Sequence, residues 1–198
     1  GLPLALAYWS QKNYQECCDV LDRDDIESAC SHSFLYFNLL GMSVRHLPSG
    51  ESRAREAYEK ALVIDPQRAD TLYNLANLLK DDDHERADQL YSQSLHINAW
   101  GPECWHNYGS NLTNLHSQEF AIQALKISIN LDPSVADVWC NLGLAYYGLD
   151  RFDEAERCFR FSLSMDTSHA QSHINLGNTL INVFRPDEAV VLLERGLE

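Results

Sequence analysis

Four asparagines, at positions 74, 107, 141 and 175, stand about 34 residues apart, each with a bulky residue two before it, an aliphatic or aromatic one just after and then a small one. A carboxamide carries both a donor and an acceptor. A row of them can therefore pair with the N–H and C=O of an extended backbone whatever side chains that backbone bears. Asn77 and Asn178, three positions beyond two of these, extend the row by one helical turn on the same face.

Other chemistry is thinner. His169 and His173 are four apart, the spacing that sets two imidazoles on one helical face and can hold a metal. No third ligand is predicted nearby, and packing and capping account for both, so no metal site is assigned. The six cysteines, at 17, 18, 30, 104, 140 and 158, have neither zinc-site spacing nor the density of a disulfide scaffold. They read as reduced thiols, with Cys17 and Cys18 pointing in different directions from one helix. Asn111-Leu112-Thr113 matches a glycosylation sequon but falls inside a helix beside the core residue Leu112. There is no glycine-rich phosphate loop, nucleophile elbow or zinc-protease motif. The sequence predicts no catalytic residue and no cofactor.

The elements that position the asparagines follow from the same period, which marks a repeat architecture. The best-preserved unit, residues 136–169, carries Trp139, Leu142, Gly143, Tyr146, Ala155, Phe159 and Ser162. The unit at 102–135 answers with Trp105, Tyr108, Gly109, Leu112, Ala121, Leu125 and Ser128. Units at 34–68 and 69–101 carry the pattern with one residue more and one fewer in the turn, and 170–198 holds a truncated last copy. Residues 1–33 read as a partial, divergent unit on Leu4, Ala5, Tyr8, Tyr14, Cys17 and Leu21. Apolar positions three, four and seven apart are helical spacing, and polar turns such as 148–150 split each unit into two helices. The small residue of the first helix (Gly41, Ala76, Gly109, Gly143, Gly177) is expected to face the small one of the second (Ala54, Ala87, Ala121, Ala155, Ala189), letting the backbones approach. Asp65-Pro66 and Asp132-Pro133 end second helices, because proline offers no amide to continue them. Ser134 with Asp137, and Ser168 with Gln171, have capping-box spacing.

This set of residues resembles the tetratricopeptide repeat, with its succession of Trp, Leu-Gly, Tyr, Ala, Phe or Tyr, Ala and Pro. The resemblance covers nearly the whole chain; Thr167 and Ala99 replace the terminal proline, and Leu72, His173 and Phe37 replace the tryptophan. It implies an all-α fold, a right-handed superhelical solenoid of antiparallel helix pairs running as one body over 1–198. It also implies that the first helices line an inner groove. Its sixth places hold Asn74, Asn107, Asn141 and Asn175. The fifth places are read as Tyr73, His106, Cys140 and His173, the last also standing where other units have tryptophan. Asn77, Asn178, Tyr73 and His106 join the four asparagines as the candidate peptide-binding set. The row resembles the asparagine ladder of O-linked N-acetylglucosamine transferases, where the same place grips the peptide substrate. The family's carboxylate clamp, which holds acidic chaperone tails, needs cations at lining places; here the second places are Asp70, Glu103, Asp137 and Gln171, which argues against that mode.

Fifteen Lys and Arg against twenty-nine Asp and Glu give a formal charge of −14, which disfavours nucleic acid and anionic membranes; it is compatible with mere solubility, and favours partners with basic segments if the acid is concentrated in the groove. No run approaches a membrane span and no export signal opens the chain, so a cytoplasmic setting is expected. The chain ends within a second helix without a polar cap, so a longer natural protein is also expected. The reading is a noncatalytic scaffold whose groove binds an extended or helical segment of a partner protein. Two alternatives are the recognition arm of a larger glycosyltransferase and a module that self-assembles through its terminal helices.

Overall fold

The computed structural model describes residues 1–197, which form thirteen helices and no strand among the described residues. The chain divides into two compact units, 1–98 and 99–198. The first holds α1 (Leu2–Ser10), α2 (Tyr14–Leu21), α3 (Asp24–Cys30), α4 (Phe34–Val44), α5 (Glu51–Ile64), α6 (Ala69–Leu79) and α7 (His84–Ile97). The second holds α8 (Pro102–Asn114), α9 (Gln118–Leu131), α10 (Ala136–Tyr147), α11 (Phe152–Met165), α12 (Ala170–Asn182) and α13 (Pro186–Gly196). Each unit is a stack of helix pairs, the local architecture of an α-solenoid. No helix among the described residues is long and apolar enough to cross a membrane.

Within a pair the helices run antiparallel. In α10–α11 the early Trp139 stacks on the late Phe161 at 4.8 Å, while the late Tyr147 meets the early Phe152 edge-on at 5.5 Å. The turn between them is closed by a repeated device. Arg151 N–H reaches the Tyr146 carbonyl at 3.0 Å, with Asp150 in the left-handed region at φ 56°. Ser117 to Leu112, with His116 at φ 55°, and Arg185 to Leu180, with Phe184 at φ 60°, repeat it. This six-to-one bond satisfies carbonyls that the helix end leaves open. Asn13 to Tyr8, with Lys12 at φ 60°, places the same turn between α1 and α2. In this first pair the second helix stops at Leu21 and α3 follows after Asp22 and Arg23.

The core lies between paired helices, and here one expectation is corrected. What covers the small residue of the first helix is not the small residue of the second but its bulky neighbour four places on. A Cβ at Gly143 would stand 2.5 Å from a ring carbon of the fully buried Phe159. Tyr58 over Gly41, Leu125 over Gly109 and Leu193 over Gly177 lie the same way. The missing methyl makes room for a side chain, while Ala54, Ala87, Ala121, Ala155 and Ala189 are buried beside it.

The capping boxes are also corrected. The residues preceding α10 and α12 are Val135 and His169, and Ser134 and Ser168 lie one position further out. There the Asp132 carboxylate takes the N–H and hydroxyl of Ser134 at 2.9 and 2.6 Å, and Asp166 takes those of Ser168 at 2.9 and 2.7 Å. The serine side chain is thus held back on the aspartate of its own turn, and the cap position belongs to the residue after it. Both carboxyls are held below their ordinary range, by the serine hydroxyl first and its backbone N–H second. The cap of α12 is instead His169, whose Nδ1 accepts from Ser172 N–H at 3.2 Å.

Candidate functional site

The first helices of the second unit are tied to one another through residues 32 to 35 apart. Asn141 Nδ2 meets His106 Nε2 at 2.8 Å, joining α10 to α8. Asn175 Nδ2 donates to Cys140 Sγ at 3.5 Å, joining α12 to α10 by the same step. His169 Nε2 meets Asp137 Oδ1 at 2.9 Å, and Asn182 Nδ2 donates to Tyr147 Oη at 2.7 Å. In the first unit, Thr71 Oγ1 donates to Asn38 Oδ1 at 3.0 Å, joining α6 to α4. Within the second unit the sixth-place asparagine of one repeat thus reaches the fifth-place residue of the repeat before.

The four asparagines are therefore not equivalent. Asn175 is only 8% exposed and uses both halves of its amide inside the protein, since its Oδ1 accepts from Gln171 Nε2 at 3.0 Å. Asn141 is half-buried, and only its Nδ2 is engaged. Asn107 is half-buried and has a partner within the protein. Asn74, half-buried on α6, makes no side-chain hydrogen bond among the described residues. Asn178 is exposed, and of its groups the backbone carbonyl accepts from Asn182 at 3.3 Å. Asn77 accepts from Tyr91 Oη at 2.7 Å, and the Tyr73 ring lies tilted 6.3 Å from the Tyr91 ring. His106 is half-buried and acts first as the partner of Asn141.

His173 belongs one place earlier than the count of lining residues put it. Its Nε2 meets the Thr167 carbonyl, six residues before, at 2.9 Å. Trp105 Nε1 does the same to Ala99 at 2.8 Å and Trp139 Nε1 to Pro133 at 3.0 Å. His173 thus occupies the tryptophan place, and Ile174 is the fifth residue of its unit. The residues that sequence reading passed over (Asn38, Thr71, Tyr147 and Asn182) carry a signal in retrospect, as does Asp137, which it read only as a second-place and capping residue. They are polar and stand 32 to 35 positions from a polar or thiol partner on the next first helix.

In both units the charge on the first helices is one-sided. Helices α4, α6, α8, α10 and α12 contain no Lys or Arg; all fifteen lie in second helices or in the turns and helix ends. Glu103, Asp137 and Asp70 are exposed on the first helices, and Asp70 is paired with Arg68 at 3.1 Å. The thiol nearest the row, Cys140, is pushed up by burial, an effect that hydrogen bonds from Ser172 and Asn175 only partly offset. It stays protonated at neutral pH and is no nucleophile. The six cysteines are free, and Cys17 and Cys18 are both buried, Cys17 accepting from Ser43 Oγ at 3.1 Å.

The sequence profile described as tetratricopeptide repeat matches residues 136–169, the pair α10–α11. The α10–α11 pair is thus a tetratricopeptide repeat, and the other helix pairs follow its pattern. Solved structures of proteins built of such repeats share the fold of the chain. MamA superposes with a TM-score of 0.75 at 23% identity, over 84% of this chain and 91% of that one. YrrB, described as a TPR protein with an unusual peptide-binding site, gives 0.73 at 18% identity, over 87% and 89%. PilF of Pseudomonas aeruginosa gives 0.69 at 22%, over 85% and 78%. At these identities the likeness is one of fold. No curated protein matches the sequence.

Proposed function

We propose that this tetratricopeptide-repeat chain is a noncatalytic scaffold that holds an extended segment of another protein along its first-helix face, the amides pairing with the guest backbone. The observation that carries the reading is that in each unit the carboxamides stand on first helices that bear no Lys or Arg, with the whole amide of Asn74 and the carbonyl oxygen of Asn141 unused by the fold. Carboxylates at Glu103 and Asp137 on the same face favour guests with basic segments. The likeness to YrrB, described as having a peptide-binding site, supports a peptide as guest.

An array of unstructured peptides graded from acidic to basic tests this. The expected result is retention of basic peptides by the intact chain, weakened about tenfold or more by Asn74→Ala with Asn141→Ala, with helicity unchanged by circular dichroism. Retention that ignores both the amides and peptide charge would overturn it. Self-association is a second reading, favoured by the exposed Ile181, Phe184, Val190 and Val191 of the α12–α13 pair. Mass that rises with concentration reads it directly.

A further inference from the structure

The fourth place of each repeat does the same work in three units. A ring N–H from Trp105, Trp139 or His173 reaches the carbonyl six residues before it. In the α6–α7 pair that place is Leu72, which has no donor, and the carbonyl six before it is that of Pro66. Among the described residues no protein group donates to the Pro66 carbonyl.

The space that a tryptophan fills elsewhere is open here. Two adjoining hollows of about 390 and 630 Å³ share Pro66, Leu72 and Gln93 as lining and run between α5 and α7. Their walls include Leu62, Leu90 and Ile97, with Val63 at the edge, 82% exposed. The α10–α11 pair supplies a template for the occupant. Trp139 there lies flat on Phe161, the tenth residue of its second helix, and packs in the same cluster as Ile129, the twelfth of α9. The tenth residue of α7 is Gln93 and the twelfth of α5 is Leu62. Both line the groove.

We infer that this groove receives a tryptophan side chain presented by another protein, its indole N–H donating to the Pro66 carbonyl and its ring lying along Gln93 between Leu62 and Ile97. The missing donor selects an indole over a phenyl or aliphatic side chain, because only the indole supplies both the apolar plane and the N–H. The site uses none of the asparagine row, so it stands or falls separately from the backbone-binding face.

The test uses N-acetyltryptophanamide on the uniformly ¹⁵N-labelled chain, read at the amides of Val63, Gln93 and Ile97. Expected are saturable shifts at these three residues and binding at least about threefold weaker for the N1-methylindole analogue, which has lost the donor. Leu72→Trp should abolish the shifts by filling the groove from within. If that variant does not fold, the comparison of the two probes still decides. No saturable shift at these residues, equal binding of the methylated probe, or undiminished binding by a folded Leu72→Trp overturns the proposal. So do shifts at the same residues on diluting the chain without probe, which would place a second copy in the groove.

Discussion

The pairs α6–α7 and α10–α11 follow one plan and spend it differently. In α10–α11 a glycine lies under Phe159, Trp139 closes the seam to the preceding helix, and Asn141 is tied to His106. In α6–α7 the same places hold Ala76, Leu72 and Asn74, leaving an unfilled groove on one side and an unbonded amide on the other. What the two keep in common is small: a buried alanine (Ala87, Ala155), a buried aromatic four places on (Tyr91, Phe159) and a buried serine (Ser94, Ser162). Ser94 donates to the Ala69 carbonyl at 2.8 Å, while Ser162 accepts from Ser172 at 2.7 Å. A helix pair thus needs only its central crossing to hold shape, and the places around it are available for recognition.

The crossing should be the most expensive place to disturb. Phe159→Ala empties a fully buried ring site and is expected to cost about 3–5 kcal/mol in urea unfolding. Gly143→Ala drives a methyl into that ring and should cost about 1–3 kcal/mol, whereas Ala76→Gly should cost no more than about 1 kcal/mol. Equal effects of the two would remove the contrast. Exchanging the fourth places sharpens it next: Trp139→Leu should lower the melting temperature, by about 2 kcal/mol of stability, while Leu72→Trp should raise it.

Alkaline titration separates the pairs again. Burial pushes the Cys158 thiol of α11 from 9.0 up to about 12, while the corresponding residue of α7 is Leu90. A folded value above the unfolded one means that stability is intact below pH 9 and falls as pH rises toward 12. Cys158→Ala should flatten that slope in pH-dependent melting, and Leu90→Ala should leave it. The smallest expected effect is at the amides. Asn141→Ala should cost about 1 kcal/mol through its lost bond to His106, and Asn74→Ala less than about 0.5 kcal/mol. A measurable cost at Asn74 would mean that its amide serves the fold.

Much of this was legible in the residue pattern. The 34-residue spacing located helix pairs, and Asp65-Pro66 and Asp132-Pro133 marked helix ends that the structure places at Ile64 and Leu131. The errors were competitions between neighbours. Ser134 and Ser168 had cap spacing, yet Asp132 and Asp166, two residues before them, hold their hydroxyls, and the cap position falls one residue later. His173 was read both as a lining residue and at the tryptophan place, and its bond to the Thr167 carbonyl decides for the second.

By itself the sequence determined the helices, their pairing and the residues that share a face, because a 3.6-residue period and short polar turns leave a chain few other ways to bury its apolar stripe. It could not rank the asparagines. Four amides at the same place look alike along the chain, and which of them remains open depends on what the fold sets opposite: a thiol from the adjacent first helix and a glutamine one turn back for Asn175, an imidazole for Asn141, nothing for Asn74. The groove over Leu72 is likewise a tertiary fact. A leucine in place of a tryptophan leaves an open hollow there only because the residues of α5 and α7 around it stay apart in the folded chain.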